Sequence, residues 1–360
     1  MFKPIDHVMM SQALQLAEKG LNTTSPNPRV GCVITQDDRI VGSGWHEKAG
    51  QAHAEINALS MAGDQAHGAT AYVTLEPCSH HGRTPPCVDA LIKAGIARVV
   101  IAMEDPNPLV LGNGIKALRQ AGIDVQTGLL HEQAQALNIG FVTRIQHGRP
   151  WVRLKIAASL DGKTALNNGL SQWITSEPAR KDGHRWRARS CAMMTGINTV
   201  LADNARLTVR HIPTSRQPKK IIIDNRLQIP LDANVLQGEE TFVFTAAAAN
   251  TEKISALEKM GVRVLVCGKA DKVDLIAMMA TLAEQELNEI LVEAGSGLNG
   301  ALLQTGLVDE LIIYMAPSLL GSDAKAMLQL PELTRLDQKI ALRIVDVRMI
   351  GQDIRVIARL

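Results

Sequence analysis

Aromatic residues are scarce in this sequence, 3% of 360 residues, and no charge dominates: 38 basic side chains face 36 acidic ones, for a net +2. A polynucleotide is met by a basic stripe along its backbone and by stacking rings against its bases. Neither is present at this level, so no nucleic-acid partner is expected. No run approaches the roughly 18 apolar residues that a membrane helix needs, so no membrane span is expected. The opening residues, MFKPIDHVMMSQALQLAEKG, are polar throughout and hold no apolar core of a secretion signal. Cysteine is sparse too: Cys32, Cys78, Cys87, Cys191 and Cys267 are odd in number and too few for a disulfide framework. These absences point to a cytoplasmic enzyme with reduced thiols, in which a cysteine pair serves a metal or a reaction more readily than a disulfide. Long polar low-complexity stretches are missing as well, so the chain is expected to fold along its length.

What is present is a recurring helix, glycine and short apolar strand. It reads as DALIKAGIARVVIA (89–102), IKALRQAGIDVQTG (115–128) and ISALEKMGVRVLVCG (254–268). The glycine suits the left-handed position that ends a helix, and the β-branched run after it suits a buried strand. Further strands are expected at 30–36, 70–75, 152–159, 220–224, 241–246, 289–294 and 310–317, with a C-terminal antiparallel pair around Gly351, Gln352 and Asp353. The pattern is α/β with a largely parallel sheet. The length exceeds one ordinary core, and Gly148 and Pro150 punctuate the chain before a new strand. Two domains are expected, 1–147 and 148–360.

LEPCSHHGRTPPC (75–87) places two cysteines in a segment too rich in proline for a plain helix or strand, and HAEINALSMAG (53–63) lies upstream. One imidazole and two thiolates, from His53, Cys78 and Cys87, make three zinc ligands with a fourth position left for water. Zinc brings the pKa of such a water to roughly 7, giving hydroxide at neutral pH. A carboxylate that is not a ligand, Glu55, then moves the proton. His-x-Glu followed by Pro-Cys is the signature of the zinc nucleobase deaminases, here with a longer spacing to the second cysteine. The plainer readings are a closed zinc site completed by His80 or His81, and a Cys78–Cys87 disulfide. With the signature as it stands, His80 and His81 fit better as substrate contacts or supports. Cys32, Cys191 and Cys267 sit in apolar runs and read as core residues.

In the second half, EILVEA runs into Gly295-Ser296-Gly297-Leu298-Asn299-Gly300 and then ALLQTG. G-x-G-x-x-G between a strand and a helix is the context in which backbone amides cradle a pyrophosphate. The acidic residue that a dinucleotide fold places at the end of the next strand is absent, since that strand ends ELIIYMAPSLLG. Either the cofactor carries a 2′-phosphate or this is another fold; a glycine turn for close helix–strand packing is the plain alternative.

SPNPRVGCVI (25–34), GWHEKAGQAHAE (44–55), LEPCSHHGRTPPC (75–87) and EDPNPLVLGNGIKALRQAGI (104–123) resemble the deaminase domain of the RibD family of bifunctional riboflavin-biosynthesis enzymes. LKIAASLDGKTA (154–165), GLSQWITS (169–176), TGINTVLADNARLTVR (195–210), LVEAGSGLNGALL (291–303) and YMAPSLLG (314–321) resemble its reductase domain. The resemblance implies a cytidine-deaminase-like α/β/α domain followed by a dihydrofolate-reductase-like α/β domain. It implies one zinc ion per chain, NADPH, and a pyrimidine nucleotide substrate that is deaminated and then reduced from ribosyl to ribityl. Asn27 and His46 are implied at the deaminase substrate. Ala157, Trp173, Thr199 and Asp203, with the turn of Gly295, Ser296, Gly297 and Leu298, are implied at the cofactor. Ser171, Arg187, Leu207, Arg210 and Glu293 are implied at the reductase substrate, where an arginine fork suits a 5-phosphate. Lys155 and Asp203 are the candidates for the proton donor. Without the resemblance, Arg187 in HRWRAR reads as a solvated helix charge. Asn204-Ala205 stands where the family often has Asp-Pro. A homodimer through the reductase domain is also implied.

Three other readings stand beside this one: a deaminase whose second domain only dimerises, a polynucleotide-editing deaminase, and a non-enzymatic zinc module.

Overall fold

The computed structural model describes residues 2–79, 85–108, 110–246, 250–268 and 271–360. The chain divides into two compact units, Met1–Gly148 and Arg149–Leu360.

The first unit holds strands β1 (Gly31–Gln36), β2 (Arg39–Trp45), β3 (Thr70–Val73), β4 (Arg98–Ile101) and β5 (Asp124–Thr127) in the order β2-β1-β3-β4-β5. β1 runs antiparallel to β2 and β3, whereas β3, β4 and β5 are parallel. Around them lie α1 (Pro4–Glu18), α2 (Ala54–Ala62), α3 (Cys87–Lys93), α4 (Asn113–Gln120), α5 (His131–Leu137) and α6 (Ile139–His147). Successive strand side chains point to opposite faces, and each face has its own core. Cys32, Ile34, Ala71, Val73, Val99 and Ile101 pack with Ala58 of α2, Leu91 of α3 and Leu118 of α4. Val33, Tyr72 and Val100 pack with Met10 of α1 and Val142 of α6. The result is three layers, helix on sheet on helix. The expected glycine ends are present: Gly95 and Gly122 have φ of 72° and 83°.

The second unit holds β6 (Trp151–Ser159), β7 (Lys163–Ala165), α7 (Glu177–Arg189), β8 (Ala192–Gly196), α8 (Ile197–Asp203), β9 (Lys219–Ile223), β10 (Thr241–Thr245), α9 (Thr251–Lys259), β11 (Arg263–Val266), α10 (Leu275–Glu284), β12 (Glu289–Val292), α11 (Ser296–Gln304), β13 (Glu310–Ala316), β14 (Lys325–Ala326), β15 (Arg343–Ile350) and β16 (Asp353–Arg359). One sheet runs β11-β10-β9-β8-β12-β6-β13-β16-β15, and β7 pairs with β14 in a separate ribbon. The strands from β11 to β13 are parallel, and the β15–β16 hairpin adds an antiparallel edge. Arg153 on β6 bridges Glu289 on β12 and Glu310 on β13, a buried charge group that ties three central strands together.

β2 and β8 were not among the strands expected from the sequence. β2 carries two glycines, which weaken a strand signal. A Cβ on Gly44 would meet Ala54 O at 2.7 Å, so the bare backbone is what lets α2 begin against β2. β8, AMMTG, is a buried central strand without β-branched alternation. Cys32 and Cys191 are core residues as expected, but Cys267 is only partly buried, because it lies just past the exposed edge strand β11.

Candidate active sites

His53 is the residue before α2, and Cys87 opens α3. Cys78 lies in the loop that leaves β3. Two helix starts and one strand end thus converge, and helix starts carry partial positive charge that favours thiolates. His53 Nδ1 lies 3.2 Å from Cys87 Sγ and 3.6 Å from Cys78 Sγ, and the three donor atoms all lie within 4.8 Å of one another. A tetrahedral zinc with ordinary Zn–N and Zn–S bonds separates such donors by roughly 3.6 Å, so the set fits the ion. The His53 nitrogen that faces both sulfurs is Nδ1. The hydrogen bond between the two sulfurs favours a thiolate at Cys78 and a thiol at Cys87, and the Cys78 sulfur raises the His53 pKa.

Glu55 sits on the first turn of α2. It is buried, and its Oε2 has no hydrogen-bond partner. Burial lifts its carboxyl to about 7. An orphaned, desolvated carboxylate oxygen beside three metal donors has the form of a group awaiting a proton or a substrate. Asn27 and His46 lie close by: Asn27 Nδ2 is 3.1 Å from His46 Nε2, and the His46 and His53 rings meet edge to face at 5.4 Å. His46 Nδ1 donates to Ala52 O at 3.0 Å, which fixes the tautomer and makes Nε2 the acceptor from Asn27. Burial lowers the His46 pKa and keeps the ring neutral. His80 and His81 lie outside the described residues.

In the second unit, the pairing of Val292 with Leu154 brings Glu293 level with Lys155 on the neighbouring strand. Arg187, on α7, grips Glu293 with both ends of its guanidinium, Nε to Oε1 and Nη2 to Oε2, each 2.8 Å. Its Nη1 donates to Thr208 O at 2.9 Å. Arg187 is thus a half-buried paired charge, because α7 turns it inward over β12; the reading as a solvated helix charge is corrected. Its fork also faces a carboxylate of the chain itself. Burial alone would raise the Glu293 pKa, but Arg187 and Lys155 overcome it and hold the carboxyl at about 2. Burial lowers the Lys155 pKa; Glu293 opposes that shift and Arg187 adds to it. Arg210, on the loop after α8, is exposed, with Nη1 3.1 Å from Thr208 Oγ1. Leu207 begins the same stretch, with φ 53°.

The expected cofactor residues gather less tightly. Gly295 precedes α11, and a Cβ built on it meets nothing within 4 Å, which leaves room beside the first N–H groups of the helix. A Cβ on Gly196 would lie 3.5 Å from Leu298, so the starts of α8 and α11 adjoin and Thr199 follows one turn on. That open cradle at adjoining helix starts suits a pyrophosphate. Gly300, the last glycine of the motif, has the packing role: a Cβ there would strike Gln329 O at 1.9 Å. Ala157 pairs with Tyr314 across β6 and β13. Trp173 is 68% exposed, on the same β7–α7 loop as Ser171, with Arg180 over its ring at 4.6 Å. Asp203 is exposed at the far end of α8, about 9 Å along the axis from its start, and is not among the charges that act on Lys155.

Two residues escaped the sequence reading. His184 on α7 is buried, accepts Arg210 N–H at Nδ1 (3.0 Å) and meets His211 edge to face at 4.5 Å. Burial, reinforced by Arg187, lowers its pKa to about 3. Glu76, immediately before Pro77-Cys78, anchors four backbone N–H groups. Only the Glu-Pro-Cys context hinted at the second.

Residues 3–103 match the cytidine and deoxycytidylate deaminase zinc-binding region, and residues 150–356 match the RibD C-terminal domain. The riboflavin biosynthesis protein RibD of Escherichia coli is 49% identical over 97% of this chain and 98% of its own length. Acinetobacter baumannii RibD has a solved structure with a TM-score of 0.91 and 46% identity, covering 99% of this chain and 98% of that one. A Thermotoga maritima structure described as a diaminohydroxyphosphoribosylaminopyrimidine deaminase/5-amino-6-(5-phosphoribosylamino)uracil reductase gives 0.88 at 32% identity, with the same coverage. The first unit is accordingly a cytidine-deaminase-like domain and the second a dihydrofolate-reductase-like domain, and the reading of the second as a scaffold alone falls away. The chain belongs to the RibD family, the bifunctional zinc-dependent deaminases and NADPH-dependent reductases of riboflavin biosynthesis.

Proposed function

We propose that residues 1–147 deaminate a diaminopyrimidinone bearing a ribosylamino 5-phosphate, and that residues 148–360 then reduce its ribosyl group to a ribityl chain. The observation that carries the first half is the unpartnered, buried Glu55 Oε2 beside the three-donor cluster. His53 through Nδ1, Cys78 and Cys87 hold zinc. When bound, zinc acidifies a water and so supplies a nucleophile near neutral pH. Glu55, which is not a ligand, holds a proton at Oε2 and passes it to the departing amine, which leaves as ammonia. Asn27 and His46 orient the base, their own geometry fixed by the bond to Ala52 O.

In the second unit, Ala157, Trp173, Thr199, Asp203 and the Gly295–Leu298 turn hold NADPH, which supplies a hydride when bound. Ser171, Arg187, Leu207, Arg210 and Glu293 face the sugar phosphate. Arg210, with its exposed guanidinium, takes the 5-phosphate, because Arg187 is engaged by Glu293. Lys155, level with Glu293 on the neighbouring strand, would give the proton to the ribosylamine nitrogen. Asp203, exposed on α8, serves the cofactor rather than the proton.

We also place the enzyme in the cytoplasm as a homodimer joined through the second unit. Five free thiols agree with a reducing compartment. The edge strand β15 agrees with a partner copy, since Ile344, Val347 and Met349 are 64%, 56% and 61% exposed. Co-fractionation with periplasmic markers would overturn the location.

The test of the catalytic reading follows ammonia release and NADPH oxidation together in zinc-loaded protein. Both should occur, NADPH loss lagging behind ammonia. After chelation ammonia should stop, while the deaminated intermediate still oxidises NADPH. Ammonia without any NADPH oxidation would sink the two-reaction assignment.

A further inference from the structure

Glu76 is a buried carboxylate, 3% exposed, one residue before Pro77 and two before Cys78. A carboxylate offers about four acceptor sites, and leaving them empty in a protein interior is costly. Here one later segment meets them all. Oε2 accepts from the N–H of Asp105 (3.2 Å) and Gly112 (3.1 Å), and Oε1 from the N–H of Gly114 (2.9 Å) and Ile115 (3.2 Å). Gly114 and Ile115 lie in the first turn of α4, whose N–H groups have no partner inside the helix. The residue before α4 is Gly112, which has no side chain to cap them, so Glu76 does so from a distant strand end.

Two further contacts tighten the joint. Glu76 N donates to Met103 O at 2.9 Å. A Cβ on Gly114 would lie 2.2 Å from Pro77 O, so the start of α4 rests backbone to backbone on the residue between Glu76 and Cys78. Pro77 has a fixed φ and cannot absorb a shift on one side without passing it on. Cys78 therefore leaves a clamped point. Its sulfur then accepts Cys87 N–H at 3.3 Å and faces His53 Nδ1. Glu55 and Glu76 are both buried acids of the first unit, but Glu55 keeps an open oxygen whereas Glu76 has both oxygens saturated by N–H donors.

We propose that Glu76 is the positioning residue of the metal pocket: its carboxylate pins the Pro77–Cys78 exit of β3 to the start of α4 and so sets where the Cys78 sulfur stands relative to His53 and Cys87. The inference rests on the zinc reading above. Glu76 touches neither the donor atoms nor the reacting groups; it acts through the backbone it shares with Cys78.

The test uses the full chain with cobalt(II) in place of zinc, alongside zinc-loaded protein. Glu76→Gln keeps the volume but turns an NH2 group toward two of the four donors. Its cobalt d–d and thiolate charge-transfer bands should shift from those of the wild type, and zinc loss to a chelator should speed up by about tenfold, the scale seen when a ligand's support is removed. Ammonia release should fall in kcat rather than KM. NADPH oxidation by the second unit, measured on supplied deaminated intermediate, should not change, which checks the sample itself. Glu76→Asp keeps the charge but falls one methylene short, and should lie between Gln and wild type. Wild-type cobalt spectra and zinc release in both variants would overturn the proposal, as would lost ammonia release with an unaltered cobalt spectrum. Loss of amide protection across the first unit in both variants would also overturn it, by making Glu76 a general fold residue. A wild type that binds neither ion would remove the zinc reading and the proposal with it.

Discussion

In the first unit the three candidate metal donors come from the starts of α2 and α3 and the loop after β3, all within the short stretch from His53 to Cys87. In the second, Lys155, Arg187 and Glu293 come from the middle of β6, from α7 and from the end of β12. The first site is a small set of soft donors around an open carboxylate oxygen. The second is a carboxylate set between two cations, with one positive charge left over. The difference has a physical origin. Zinc fixes its own geometry, so the protein need only bring three donors near and leave Glu55 free. The second group has no ion to order it, and its Arg187 and Glu293 side chains are held by pairing with each other.

The sharpest way to break this comparison is Glu55→Ala. Ammonia release should fall by about 10²- to 10⁴-fold, the usual share of a positioned acid or base. The variant should still bind zinc and reduce the deaminated intermediate. Metal analysis that found the zinc gone would make Glu55 a ligand and erase the distinction drawn here.

Arg187→Ala tests the other side. It leaves the half-buried Glu293 without its main partner, and losing hydrogen bonds to a charged group costs about 1.5–3 kcal/mol. Urea unfolding should show the second unit destabilised by that order, with reductase activity lost and zinc content intact. A second unit as stable as wild type would mean that the pair is solvated in solution.

Acid should then weaken the second unit in two stages. The folded-state pKa of His184 is depressed to about 3 from 6.5, so its contribution is present above pH 6.5 and declines as pH falls from there toward 3. That of Glu293 is depressed to about 2 from 4.5, so its contribution is lost between those values. Thermal melts at stepped pH should show the first decline missing in His184→Gln. An unchanged profile in that variant would assign the decline elsewhere.

The smallest effect expected on chemistry comes from the β15 edge. Replacing Ile344 and Val347 together by lysine should halve the mass seen by sedimentation and leave ammonia release near wild type. A wild type that already sediments as one chain would refute the dimer.

Much of the first site was legible because its chemistry is carried by residue identity at short range. His53, Glu55, Cys78 and Cys87 needed only to be read along the chain, and β3 and α3 fell where the pattern put them. The second site was legible as a list of residues but not as an arrangement. Arg187 looked like one more charge in HRWRAR, and only the packing of α7 over β12 turned it onto Glu293. His184 gave no signal, since a histidine in a helix carries none until its neighbours are known. The glycines of 295–300 looked alike, yet Gly295 borders open space and Gly300 presses on Gln329 O.

The sequence by itself determined the two-unit α/β plan and pointed to the candidate donor set and the acid beside it, because periodicity and side-chain chemistry are local properties. Only the tertiary structure decided which nitrogen of His53 faces the sulfurs, that Arg187 is matched by Glu293, and that Glu76 anchors α4 rather than joining the chemistry. Those outcomes depend on which segments pack together, and burial makes each polar group take whatever partner the fold brings within reach.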